Sequence, residues 1–136
     1  MENKRAHLEM LQAIINRMSV NSFLLKGWSV VLISAFFALA AGGAQTLFVY
    51  LAYFPAIAFW GLDAYFLRQE RLFRRLYDRV RHLAETDVDF SMDTSTADGE
   101  VADWSTVVFS KTLLIFHGTV LGSIVIVMLV IVFNPR

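Results

Sequence analysis

The chain has 136 residues, 57% hydrophobic and 18% charged, with twelve Lys/Arg against twelve Asp/Glu and no Cys. A mean hydropathy of +0.54 is too apolar for an ordinary soluble domain. The missing Cys excludes disulfides, thiolate metal sites and Cys nucleophiles, and it fixes no compartment.

Residues 1–22 contain Glu2, Glu9, Asn16 and Arg17 and do not read as a secretory signal. Within 5–22, Leu8, Leu11, Ile15 and Met18 recur at spacings of three and four, the narrow apolar seam of an amphipathic cytoplasmic helix. Then 36 residues, 27–62, carry no charge. As one helix they would be about 54 Å long, against a hydrocarbon core of about 30 Å. The chain is therefore expected to fold back at Gly42-Gly43 and cross twice, over 22–41 and 44–65. Pro55, midway through the second crossing, predicts a kink.

A span of about 20 residues places Lys26 one turn inside the cytoplasmic interface and Asp63 at nearly the same depth. Pairing of Lys26 with Asp63 would relieve both charges, and Lys26→Asp with Asp63→Lys should then restore part of what either Ala change loses. The alternative is that Lys26 snorkels and Asp63 reaches water alone.

Residues 66–85 continue the second span as an Arg-rich helix, with Phe66, Gln69, Phe73, Leu76, Val80 and Leu83 forming a second seam. No Pro or Gly separates either extension from its span. Zipped together within one chain, the seams would bring Lys4 to Glu85 and Glu9 to Arg79 or Arg81. Joined between neighbouring subunits, Phe73 and Leu76 would build a stalk. Arg68, Arg71, Arg74 and Arg75 offer a cytoplasmic interaction surface for a soluble protein or ligand. The loop 86–104 has six acids and no base. Asp87, Asp89, Ser91, Asp93 and Asp98 follow an EF-hand-like count, but Met92 stands where Gly is needed and Asp98 where Glu is usual. A solvated acidic loop is the better account, free to receive a basic partner or to dock on its own Arg-rich helix.

Residues 112–133 form a third uncharged run, long enough to span once. His117 lies about six residues inside it, where an ionisable group invites a sensing or pore-lining reading or a hydrogen bond to another helix. Gly118 and Gly122 make a GxxxG, which Thr119 and Ser123 extend as a second small pair. Ser34, His117, Thr119 and Ser123 are the polar candidates for a wettable stripe.

Four bases precede 27–62 (Lys4, Arg5, Arg17, Lys26) and seven lie between the second and third spans, so eleven of twelve fall on one side. The positive-inside rule makes that side cytoplasmic and puts the C-terminus outside. Trp28, Trp60, Tyr65 and Trp104 cluster toward the same interface. No phosphate-binding loop, catalytic triad, metal cluster or nucleic-acid motif is present, so no enzyme activity and no cofactor is expected.

The strings N-S-F-L-L-K-G-W (21–28), F-W-G-L-D-A-Y-F-L-R-Q-E-R-L-F-R-R-L-Y (59–77) and S-K-T (110–112) together resemble a family of small, mostly uncharacterised bacterial membrane proteins. The resemblance runs over essentially the whole chain. It implies a bacterial inner-membrane protein and, loosely, a setting among antiphage or CRISPR-associated genes. It carries over no active-site residue.

The expected fold is all-α, a single membrane domain of three transmembrane helices, the first two extended as a cytoplasmic helical hairpin. The expected function is a non-enzymatic homo-oligomeric effector that forms or gates a pore, or perturbs the membrane, with lipid as its surroundings. The alternative is a membrane anchor or regulatory subunit that recruits a soluble partner.

Overall fold

The computed structural model describes residues 1–42 and 46–134. Gly43 and Ala44, at the expected fold-back, and Arg136 lie outside them. The described residues contain no strand and are 85% helical. Three of its helical stretches are long and apolar enough to cross a membrane: Glu2–Ala41, Leu47–Arg81 and Lys111–Phe133.

The first, α1, is one 40-residue helix, Glu2–Ala41, about 60 Å long at 1.5 Å per residue. With no Pro, nothing interrupts the passage from its polar half to its apolar half. It stops at Gly42, whose N–H still donates to the Ala38 carbonyl at 2.9 Å. A short helix α2, Leu47–Leu51, follows, then α3, Tyr53–Arg81. The expected kink is thus a break at Ala52, three residues before Pro55. Pro55 has no N–H for the Leu51 carbonyl, and it is tolerated in the first turn of a new helix. Ala52 keeps helical angles, φ −63° and ψ −25°.

Helix α1 runs antiparallel to α3, as three layers of contact show. At the apolar end Ile33 packs with Val49, Ala52, Ala56 and Ile124. Midway, Ser22 meets Asp63. At the charged end Leu11 packs with Leu76 and Val80, flanked by Leu8, Phe73, Tyr77, Leu83 and Met92. Phe73, Leu76, Val80 and Leu83 of the expected α3 seam all lie in this layer, and the buried Leu72 joins the same side of the helix while Gln69 is half-buried. Phe73 and Leu76 therefore cover α1 of their own chain and are not free for a stalk between subunits.

At the charged end Lys4 and Glu85 come together as expected, whereas Glu9 does not meet Arg79 or Arg81. Glu85 meets the start of α1 through the backbone N–H of Asn3 and of Lys4, not the Lys4 ammonium. Glu9 pairs with Arg5 at 3.2 Å, while Arg79 goes to Glu100 and Arg81 to Asp78. The Met1 ammonium first, then the Lys4 and Asn3 amides, hold Glu85 below its ordinary range. A depressed carboxylate stabilises above its ordinary value, and that contribution is lost as pH falls through the lowered one. Amide exchange at Asn3 and Lys4 is accordingly expected to accelerate on acidification below the ordinary Glu range, and Glu85→Gln should flatten that response.

Past α3 the chain makes 3₁₀ turns at Glu85–Asp87 and Ser95–Glu100, then a one-turn helix α4, Trp104–Val108. Asp103 caps α4, accepting from the Thr106 hydroxyl and N–H, which hold its carboxyl below the usual range. Helix α5, Lys111–Phe133, returns antiparallel to α3: His117 meets Asp63 near one end, and the Tyr53 hydroxyl donates to Met128 Sδ at 3.4 Å near the other.

Candidate functional site

One carboxylate ties all three long helices together. Asp63 of α3 is fully buried. Its Oδ1 accepts from the Ser22 hydroxyl of α1. Its Oδ2 accepts twice, from Lys26 Nζ of α1 at 2.6 Å and from His117 Nε2 of α5 at 2.7 Å. Lys26 also donates to Ser22 Oγ at 2.9 Å, one turn back on its own helix. Two oxygens thus receive three donors, and the two strongest converge on one of them.

The surroundings are aromatic. The Trp60 ring lies parallel to the His117 imidazole, 5° off with centroids 5.8 Å apart, and the Phe116 ring stands edge-on at 5.0 Å. Lys26 Nζ sits 5.9 Å from the Phe116 centroid. Trp60 is itself fixed, donating Nε1–H to the Val108 carbonyl at 2.9 Å, while Trp104 donates to the Gly61 carbonyl at 3.0 Å. The segment with α4 is thereby pinned beside the cluster, over Ala64, Val107 and Leu113.

The hydrogen-bond geometry assigns the imidazole. An ionised carboxylate only accepts, so Nε2 carries the proton, and in neutral His117 the bare lone pair is on Nδ1. That Nδ1 is buried without a hydrogen-bond partner among the described residues, as is the Ser29 hydroxyl.

The sequence-derived candidates divide clearly. Lys26, Asp63 and His117 come together. His117, 1% exposed, faces the inside of the bundle and lines no outward stripe. Ser34, Gly118, Thr119 and Ser123 are exposed. The Thr119 and Ser123 hydroxyls donate to carbonyls of their own helix, at Ile115 and Thr119. A Cβ built on Gly118 or Gly122 would meet nothing within 4 Å among the described residues, so none of the described helices makes close contact with the GxxxG. Ser22, Trp60 and Trp104 complete the site and were not singled out for it. Ser22 carried a signal, being four residues before Lys26 and hence on the same helical face.

At the charged end the acidic segment docks on the Arg-rich helix. Arg68 reaches Asp98 at 2.7 Å and the Ala102 carbonyl at 3.1 Å. Arg79 reaches Glu100 at 2.5 Å and the Thr96 carbonyl at 2.8 Å. Asp89 and Asp93 accept from backbone N–H groups two residues on, so these carboxylates turn the local chain. Among the described residues no three His, Asp or Glu side chains are grouped to hold a metal ion. Arg74 pairs with Glu70 on the surface. Arg75 helps line an open groove of about 520 Å³ with Asp78, Arg79, His82, Leu83 and Glu100. Arg68→Ala is expected to cost at most about 1 kcal/mol, because its ion pair is largely exposed on the Asp98 side. A larger fall in melting temperature than Asp98→Asn gives would locate its weight in the Ala102 bond.

Nothing matches the chain among protein-family models, curated proteins or solved structures.

Proposed function

We propose that this chain is the subunit of a non-enzymatic, oligomeric effector in the bacterial inner membrane, acting by forming or gating a pore or by perturbing the bilayer. In this reading α1 and α3 form a hairpin whose charged ends stand in the cytoplasm, and α5 is the third span. The N-terminus is inside and the C-terminus outside, a placement that the distribution of bases supports. The resemblance of residues 21–28, 59–77 and 110–112 supports the same setting, and with it a role in antiphage defence.

The observation that carries the proposal is the bare face of α5. Gly118, Thr119 and Ser123 are exposed in a single copy, and none of the described residues comes within 4 Å of a Cβ placed on Gly118 or Gly122. Lipid chains fill such a groove less well than a second helix does. The ionisable groups inside the bundle are meanwhile committed to holding its own three helices. The other reading, a membrane anchor that recruits a soluble partner, is favoured by the open groove beside Arg75 and His82.

Two measurements test these statements. Single-Cys variants at Gly43 and Asn134 are expected to react with an impermeant reagent from outside, and one at Ser95 to be protected in intact cells. Labelling of Ser95 with protection at the other two would invert the topology. Purified protein in a planar bilayer is expected to conduct; a silent bilayer together with capture of a soluble protein through the Arg75 groove would favour the anchor.

A further inference from the structure

We infer that the Asp63 cluster is a proton-binding switch, in which a proton taken up at His117 Nδ1 displaces Lys26 from Asp63. The inference goes beyond effector activity and stands whether or not the assembly conducts.

Three observations carry it. First, Lys26 Nζ and His117 Nε2 share one acceptor, Asp63 Oδ2, at 2.6 and 2.7 Å. Second, His117 Nδ1 is buried and accepts no hydrogen bond from the described residues, so it is the open basic position of the cluster. Third, the two cations differ in their access to water. The Lys26 side chain is 23% exposed, and those of His117 and Asp63 are 1% and 0% exposed.

The charge balance then fixes the direction of change. With neutral imidazole, one ammonium and one carboxylate cancel. The groups facing the ring are Asp63 from α3, Lys26 and Ser22 from α1, and the uncharged rings of Trp60 and Phe116; α4 presents no charge there. Addition of one proton at Nδ1 gives imidazolium and leaves two cations against one carboxylate, with net charge +1 in an apolar site. Such an excess is costly to bury. One cation must leave. Imidazolium cannot reach water, whereas the lysine stem can carry its ammonium to the headgroups. The pair Lys26–Asp63 is therefore exchanged for His117–Asp63, and α1 loses its strongest polar tie to α3 and α5 while the other two helices stay joined. Histidine is the side chain whose ordinary charge change falls within the range of cellular pH.

The test uses the full chain, labelled with ¹⁵N in His and Lys, in lipid nanodiscs, with His117→Gln used to assign the ring signals. Above neutrality His117 is expected as the neutral Nε2–H form, beside a slowly exchanging Lys26 ammonium. On acidification Nδ1 should gain its proton, and the Lys26 signal should pass to fast exchange at the same midpoint. Lys26→Met removes the competing cation and is expected to raise that midpoint by about one unit, tenfold in proton affinity. If that variant fails to fold, the coincidence of the two wild-type transitions decides. A ring that stays neutral to pH 5, or that protonates while Lys26 keeps its slow exchange, would overturn the inference.

Discussion

Asp63→Ala is expected to destabilise the bundle by about 3–5 kcal/mol, the usual cost of removing one partner from a buried ion pair. Three donors, Lys26, His117 and Ser22, lose an acceptor at once, and the His117 ring, 1% exposed, has no route to water. Unfolding in a mixed detergent, followed by Trp emission, would report it directly, because Trp60 stacks on His117. Lys26→Ala should cost less, since His117 and Ser22 still satisfy the carboxylate. The double exchange Lys26→Asp with Asp63→Lys, attractive for an isolated pair, is expected to restore little. It would set an ammonium against His117 Nε2–H, two donors facing each other with no acceptor between them.

The second large effect lies at the charged end. Leu11 is fully buried against Leu76 and Val80, and Leu11→Ala is expected to cost about 2–5 kcal/mol, the range for emptying a packed leucine site. Hydrogen exchange should rise across residues 2–17 and 70–83 and remain unchanged in Ile115–Ile131. The same layer holds His7, fully buried, with Nε2–H donating to the Ser91 carbonyl at 2.8 Å. It also holds Phe90, whose ring lies 5.5 Å from that of His7 and whose φ is +56°. A non-glycine residue in this left-handed region costs about 1–2 kcal/mol. Loosening the layer through Leu11 should therefore release residues 88–94 along with the helices.

The architecture was legible because composition and length speak directly. Three uncharged runs bounded by Lys26, Asp63, Lys111 and Gly42 leave little choice of helix, and Lys26 and Asp63 at matching depths point to each other. Partnership among three helices is a different matter. His117 lies in a run so uniformly apolar that no periodicity marks its inward face. Its role as a second donor to Asp63 depended on how α5 is rotated. The α3 seam was legible at Phe73, Leu76, Val80 and Leu83, which pack in one layer with Leu11, while the buried Leu72 falls outside its three-and-four spacing. The acidic segment allowed docking on its own Arg-rich helix or on a foreign one, and the choice depended on loop geometry that has no sequence period. The empty groove of Gly118 and Gly122 was legible as a motif, but its partner was not.

That groove gives the most direct test of the effector reading. A Cβ at either glycine meets nothing within 4 Å among the described residues, so Gly118→Ile with Gly122→Ile should leave the monomer fold intact while obstructing a neighbouring helix. Native mass measurement in lipid nanodiscs is expected to give a closed multiple of the subunit for the wild type and a smaller species for the double variant. A wild-type monomer under conditions of full activity, with a mass unmoved by the double variant, would contradict the oligomer and the pore with it.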